Sequence, residues 1–158
     1  MYVCRRFYME SLEEMFGIPT VRTSKRLSRV VAARLRPFGI TPEQWTVLKR
    51  VSEAEYSTQK QLAERADKDQ ATLTKILDLL EKQNWIQRIR NPEDRRSFFI
   101  QITEDGLRLK TEVTPAVEQV FFELTSELNE QQVKIYTETL QKLEYRAEQL
   151  LQDAEDLR

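Results

Sequence analysis

The apolar positions of this chain change period along its length, and the changes mark out its elements. Over residues 70–84, Leu73, Ile76, Leu77 and Leu80 recur at the i, i+3, i+4, i+7 spacing of one helical face. Gln70, Thr74, Lys75, Asp78, Glu81 and Lys82 fall on the other face, with Thr72 near the first turn. After Gln83 and Asn84 the period shortens to that of a strand. Trp85, Ile86 and Ile89 precede Asn91-Pro92, and Phe98, Ile100 and Ile102 alternate beyond them. This predicts a β-hairpin whose loop, Asn91 to Ser97, is too long for a two-residue turn and projects Glu93, Asp94, Arg95 and Arg96 from the core. The helical period then returns: Val133, Tyr136, Leu140, Leu143, Ala147, Leu150, Ala154 and Leu157 are spaced alternately by three and four. That is a heptad seam on a helix about 40 Å long, more than a small domain needs, so part of it is expected to bury itself against another chain.

Capping signals set the borders. Thr41-Pro42-Glu43-Gln44 reads as a capping box that opens a helix running to about Ala54, with Pro42 at the first helical position. Thr58-Gln59-Lys60-Gln61 repeats the signature for a short helix through Leu62, Ala63 and Ala66, and Asp69 caps the next. Two such helices joined by Ala66-Asp67-Lys68-Asp69 make a helix-turn-helix candidate. Thr103, followed by Glu104 and Asp105, caps a long helix that Pro115 is expected to kink, and Asn129 caps the last one. Trp45, Trp85, Phe98 and Phe121 read as core. The expected fold is mainly α with a small β-hairpin wing. Residues 1–38 form a leader and dimerisation helix, 39–104 a winged helix-turn-helix lobe, and 105–158 C-terminal dimerisation helices.

Charge sharpens this picture. The 158 residues carry a formal net charge of −1, but residues 1–100 hold 19 Lys/Arg against 13 Asp/Glu while 101–158 hold 6 against 13. A basic part followed by an acidic one is expected where one region meets an anionic surface and another does something else. Arg22, Lys25, Arg26, Arg29 and Arg36 share one helical arc opposite Leu27, Val31 and Leu35. That arc reads as a solvated face, a contact with flanking DNA, or a docking face for the acidic C-terminal region of this or a second chain.

Histidine is absent, which removes the commonest general base and neutral metal ligand, and the three glycines form no phosphate-binding pattern. No catalytic residue, cofactor or metal is therefore expected. Cys4 is the only cysteine, so no intramolecular disulfide can form, and a reducing cytoplasm is the natural compartment. No uncharged run exceeds seven residues, far short of a membrane span.

Ile40-Thr41-Pro42-Glu43-Gln44-Trp45-Thr46-Val47-Leu48, Gln61-Leu62-Ala63-Glu64, the run Leu73 to Lys82, Asn91-Pro92-Glu93-Asp94-Arg95-Arg96-Ser97 and Ile102-Thr103-Glu104-Asp105-Gly106 follow in an order and spacing that resemble the MarR (multiple antibiotic resistance regulator) family of transcriptional regulators, over roughly residues 20–150. The resemblance implies a homodimer binding a pseudo-palindromic operator in double-stranded DNA, acting as a repressor released by a small aromatic or anionic effector. It places the helix at 70–84 in a major groove and Arg96 in the adjacent minor groove with Asp94 orienting it; by their side-chain chemistry Gln70, Thr72, Thr74 and Lys75 are read as meeting bases or backbone and Arg95 phosphate, against the plainer readings of an exposed helix face and a solvated turn. Ser57, Thr58 and Lys60, at the start of the preceding helix, are read as phosphate contacts from a positive helix end or, equally, as caps and nothing else.

Two departures stand out. Asp67 and Lys68 occupy a turn where the family usually has a glycine and an apolar residue, so a looser turn is expected. Asp78 and Glu81 lie on the helix read as recognition helix, so only its first turns are expected near phosphate. The alternatives are a winged-helix module that binds another protein, and a redox-sensing regulator using Cys4, whose thiolate Arg5 and Arg6 would favour.

Overall fold

The computed structural model describes residues 11–54, 56–92, 94 and 97–156. A π-helical turn, Glu13–Gly17, leads into α1 (Ile18–Leu35), and a 3-10 turn, Arg36–Phe38, leads to α2 (Pro42–Ser52). Then come β1 (Ser57–Thr58), α3 (Gln59–Arg65), α4 (Gln70–Lys82), β2 (Ile86–Arg90), β3 (Phe98–Ile102), α5 (Glu104–Thr125) and α6 (Glu130–Asp156). The chain packs as two units, one through Val120 and the other from Phe121. The division falls inside α5, whose Val113 belongs to the first unit's core and whose Leu109 and Val117 pack against it. Pro115 sits within α5 without ending it.

The caps read from sequence are the hydrogen bonds that start the helices. Thr41 Oγ1 accepts from the Gln44 N–H while Gln44 Oε1 accepts from the Thr41 N–H, and Thr58 and Gln61 form the same reciprocal pair. Asp69 Oδ1 accepts from the Thr72 N–H at 2.8 Å. Thr103 Oγ1 accepts from the Gly106 N–H and donates to the Asn84 carbonyl, which ties the start of α5 to the end of α4. Gly106 is required there: a Cβ would lie 2.1 Å from the Trp85 carbonyl oxygen.

Leu73, Ile76, Leu77 and Leu80 of α4 are all buried, and they meet Trp45, Val47, Leu48 and Val51 of α2, Leu62 and Ala63 of α3, and Leu35 from the end of α1 in one core. The sheet covering it is antiparallel with strand order β1-β3-β2. Strand β1, two residues long, was not legible as a strand, since so short a segment holds no alternation; it pairs Ser57 with Ile100 and Thr58 with Phe99. The inward face of the hairpin carries Ile86 and Ile100. Ile89, read with Ile86 as apolar pattern, lies on the opposite face and is exposed, because the strand period of two puts 86 and 88 together and 89 across from them. It pairs in register with Phe99, against whose ring Tyr56 packs edge-on at 5.5 Å.

Of the four aromatics expected in the core, Trp45 is buried and Trp85 half-buried against it. Phe98 is 42% exposed, at the end of β3 nearest the wing tip, and Phe121 is 48% exposed, so neither is core. In the second unit, Asn129 Oδ1 accepts from the Gln132 N–H and Gln132 Oε1 from the Asn129 N–H, starting α6. No α6 residue among those described is buried.

Candidate nucleic-acid interface

The turn between α3 and α4 is closed by backbone alone. The Lys68 N–H donates to the Ala63 carbonyl and the Asp67 N–H to the Glu64 carbonyl, with Asp67 in the left-handed region at φ 49°. This paired capping pattern is one that glycine most readily supplies. Aspartate tolerates that conformation better than most residues, so the turn is not loosened by the lack of glycine. The same pattern recurs at the end of α4, where Asn84 has φ 59° and the Trp85 and Asn84 N–H groups donate to the Leu80 and Glu81 carbonyls. Two such stops deliver α4 with both ends fixed.

On the outer side of α4, Gln70, Thr72 and Lys75 are exposed and Thr74 is half-buried. Their hydrogen-bonding capacity is not equally available. Thr72 Oγ1 donates to Asp69 Oδ2 at 2.6 Å, and Thr74 Oγ1 donates to the Gln70 carbonyl at 2.7 Å while accepting from Gln59 Nε2 at 2.6 Å. A hydroxyl has one proton to give, so these threonines offer a methyl group and residual acceptor capacity, and the donors left to meet base edges are Gln70 and Lys75. Asp69 is held below the ordinary carboxylate range chiefly by the Thr72 hydroxyl, helped by backbone N–H groups. Gln59, which ties α3 to α4 through Thr74, had no signal in the sequence beyond lying inside a capping box.

The start of α3 divides three ways. Lys60 is exposed. Thr58 is half-buried and its hydroxyl serves the cap. Ser57 is 3% exposed, with its hydroxyl accepting from Arg65 Nη1, so its side chain is not presented to phosphate and it leaves the candidate set. Its burial follows from strand pairing with Ile100.

The wing is pinned at its base. The Asn91 N–H donates to the Ser97 carbonyl, Asn91 Nδ2 donates to Ser97 Oγ at 2.9 Å, and the Ser97 N–H donates to the Asp94 carbonyl at 3.0 Å. Asp94 is exposed at the tip. Arg95 and Arg96 lie outside the described residues, as does Cys4. Among the described residues no group of His, Cys, Asp and Glu could hold a metal ion, and no helix is long and apolar enough to cross a membrane.

Two helices at a tight turn, the second with an open polar face, followed by an antiparallel hairpin pinned at the base of its loop, define a winged helix-turn-helix protein of the DNA-binding class. The model of the MarR family matches residues 40–98, from just after the 3-10 turn to the first residue of β3. The HTH-type transcriptional regulator SarZ of Staphylococcus epidermidis is 30% identical over 129 residues, spanning 80% of this chain and 84% of the relative. Wild-type MarR from E. coli in its apo form superposes with a TM-score of 0.69 at 26% identity, covering 81% of this chain and 96% of that one. A mutant MarR from E. coli complexed with operator DNA superposes with a TM-score of 0.77 at 25% identity, covering 85% and 99%. The chain belongs to the MarR family of transcriptional regulators.

Proposed function

We propose that the protein is a homodimeric repressor that binds a pseudo-palindromic operator, with α4 in a major groove and the wing tip in the adjacent minor groove. The observation that carries this reading is the likeness to MarR complexed with operator DNA over 85% of the chain, together with an α4 face whose exposed Gln70 and Lys75 suit base edges and phosphate. Arg96 enters the minor groove, where a narrow groove concentrates negative potential, Asp94 orients it, and Arg95 meets phosphate. Lys60 adds a phosphate contact, with Thr58 beside it at the positive end of α3.

The dimer is supported by α6. Val133, Tyr136, Leu143 and Leu150 of its heptad seam are exposed within one chain, and a 27-residue helix with no buried residue among those described lacks the tertiary packing that most helices depend on. Two-fold symmetry in the protein then calls for two-fold symmetry in the DNA. Release by a small aromatic or anionic effector is the regulation we propose; an open surface depression of about 730 Å³, lined by one face of α1 and the turn before it, offers both kinds of contact. Ile18 and Val21 supply apolar surface and Arg22, Lys25, Arg26 and Arg29 cationic groups, with Glu13 among its lining residues.

Fluorescence anisotropy on a duplex selected from a random pool tests the reading. Arg96→Ala should weaken selective binding at least tenfold without changing the oligomeric state, and benzoate as an aromatic-anion probe should lower affinity. Unchanged affinity in Arg96→Ala removes the wing assignment, and a protein-binding module would show no salt-dependent DNA binding at all.

A further inference from the structure

Strand β2 breaks its own pattern. Ile86 is buried, and two residues on, where alternation calls for a second apolar side chain on the same face, stands Arg88, in register with buried Ile100. Its side chain is only 21% exposed and it crosses to α4. There Arg88 Nη2 donates to Asp78 Oδ1 at 2.6 Å and Nη1 pairs with the Glu81 carboxylate, whose other oxygen accepts from the Arg88 backbone N–H at 3.2 Å. Glu81 thus holds both the guanidinium and the main chain of the wing strand. A planar fork held by two carboxylates of one helix fixes direction as well as distance, which a lysine ammonium would not do.

The same contact resolves an electrostatic difficulty. Asp78 and Glu81 are 58% and 39% exposed on the side chain, on a helix that approaches a polyanion. Arg88 sits between them and offsets part of their charge. Strand β2 and the last turns of α4 are joined through this triad, while Gln70 to Lys75 lie toward the other end of α4 and the wing loop follows β2 in the chain.

We propose that Arg88 is a positioning residue that sets the reach between recognition helix and wing, and so governs sequence selectivity without touching DNA. Acting through Asp78 and Glu81, it makes the major-groove and minor-groove contacts of one half-site a single rigid spacing. A duplex whose grooves match that spacing gains both contacts. A mismatched duplex gains one. This rests on the operator-binding reading above.

The readout is the ratio of affinities for the selected duplex and a scrambled duplex, measured by anisotropy for the full chain, Arg88→Ala, Arg88→Lys, Glu81→Gln and the double variant Arg88→Ala/Glu81→Gln, each checked for an unchanged urea midpoint and dimer mass. Arg88→Lys and Glu81→Gln cover the case in which Arg88→Ala does not fold. The expected result is a ratio at least tenfold lower in Arg88→Ala, only partly restored by Arg88→Lys. The double variant should be no worse than Arg88→Ala, because both changes cut one link. The slope of log affinity against log salt should be unchanged. Additive losses in the double variant, or a ratio within twofold of the full chain, overturn the positioning role alone. A slope shallower by about one phosphate also overturns it, since Arg88 would then be a direct contact. Absence of any selective binding by the unaltered chain overturns the operator reading, and the positioning role with it.

Discussion

Gly106 is where a single methyl group should do the most damage. Its Cβ would meet the Trp85 carbonyl oxygen at 2.1 Å and Ile102 Cγ1 at 2.7 Å, so α5 would have to leave the strand it is tied to. Gly106→Ala is expected to cost about 3 kcal/mol, read as a lower urea midpoint, toward the upper end for overpacked sites. Gly17→Ala serves as the contrast: its nearest contact would be the flexible Glu13 side chain at 3.8 Å, and a gain of about 0.5 kcal/mol is expected. Titration belongs to the same level. Glu53 is held below the ordinary carboxylate range chiefly by its hydrogen bond from Arg50, Asp69 by Thr72, and Asp105 by Arg108 and then Asn84. Carboxyls whose folded-state pKa is depressed contribute stability that is present above their unfolded pKa and lost as pH falls through the folded one. With no histidine in the chain, urea midpoints should show no imidazole step between pH 5 and 8 and should fall below about pH 4.

The turn and the wing show what local pattern reveals and what it hides. Asp67 at φ 49° performs a glycine's task, so Asp67→Gly should leave the thermal midpoint unchanged or raise it slightly, whereas Asp67→Val, β-branched in a left-handed site, should cost more than about 1 kcal/mol. In the wing, Ser97→Ala removes the side-chain half of the Asn91–Ser97 closure. Faster amide exchange confined to β2 and β3, with weaker operator binding and an intact core, is the expected outcome. Helix starts were legible because capping is short-range chemistry: Thr41, Thr58, Asp69, Thr103 and Asn129 each accept from the N–H three residues on. The face of α4 was legible from its period. Strand facing was not, since Ile89 and Arg88 differ by one residue and only pairing with β3 decides which turns inward. The burial of Ser57 and the Gln59–Thr74 bond depend on segments 43 and 15 residues away, respectively, and no local signal carries them.

Assembly is the level at which regulation would operate. The exposed seam of α6 and the apolar side chains Phe121, Phe122 and Leu128 ahead of it are surfaces a second copy would cover, and Leu143→Lys is expected to shift sedimentation toward the monomer while leaving the first unit's core intact. A monomer holds one half-site, so its loss of selective affinity should far exceed the cost of losing any single base contact. The stoichiometry and salt dependence of binding to a palindromic duplex selected from a random pool bear most directly on the central claim. Two chains per duplex, with log affinity falling steeply and linearly against log salt, is the predicted result; one chain per duplex, or an affinity indifferent to salt, would contradict it.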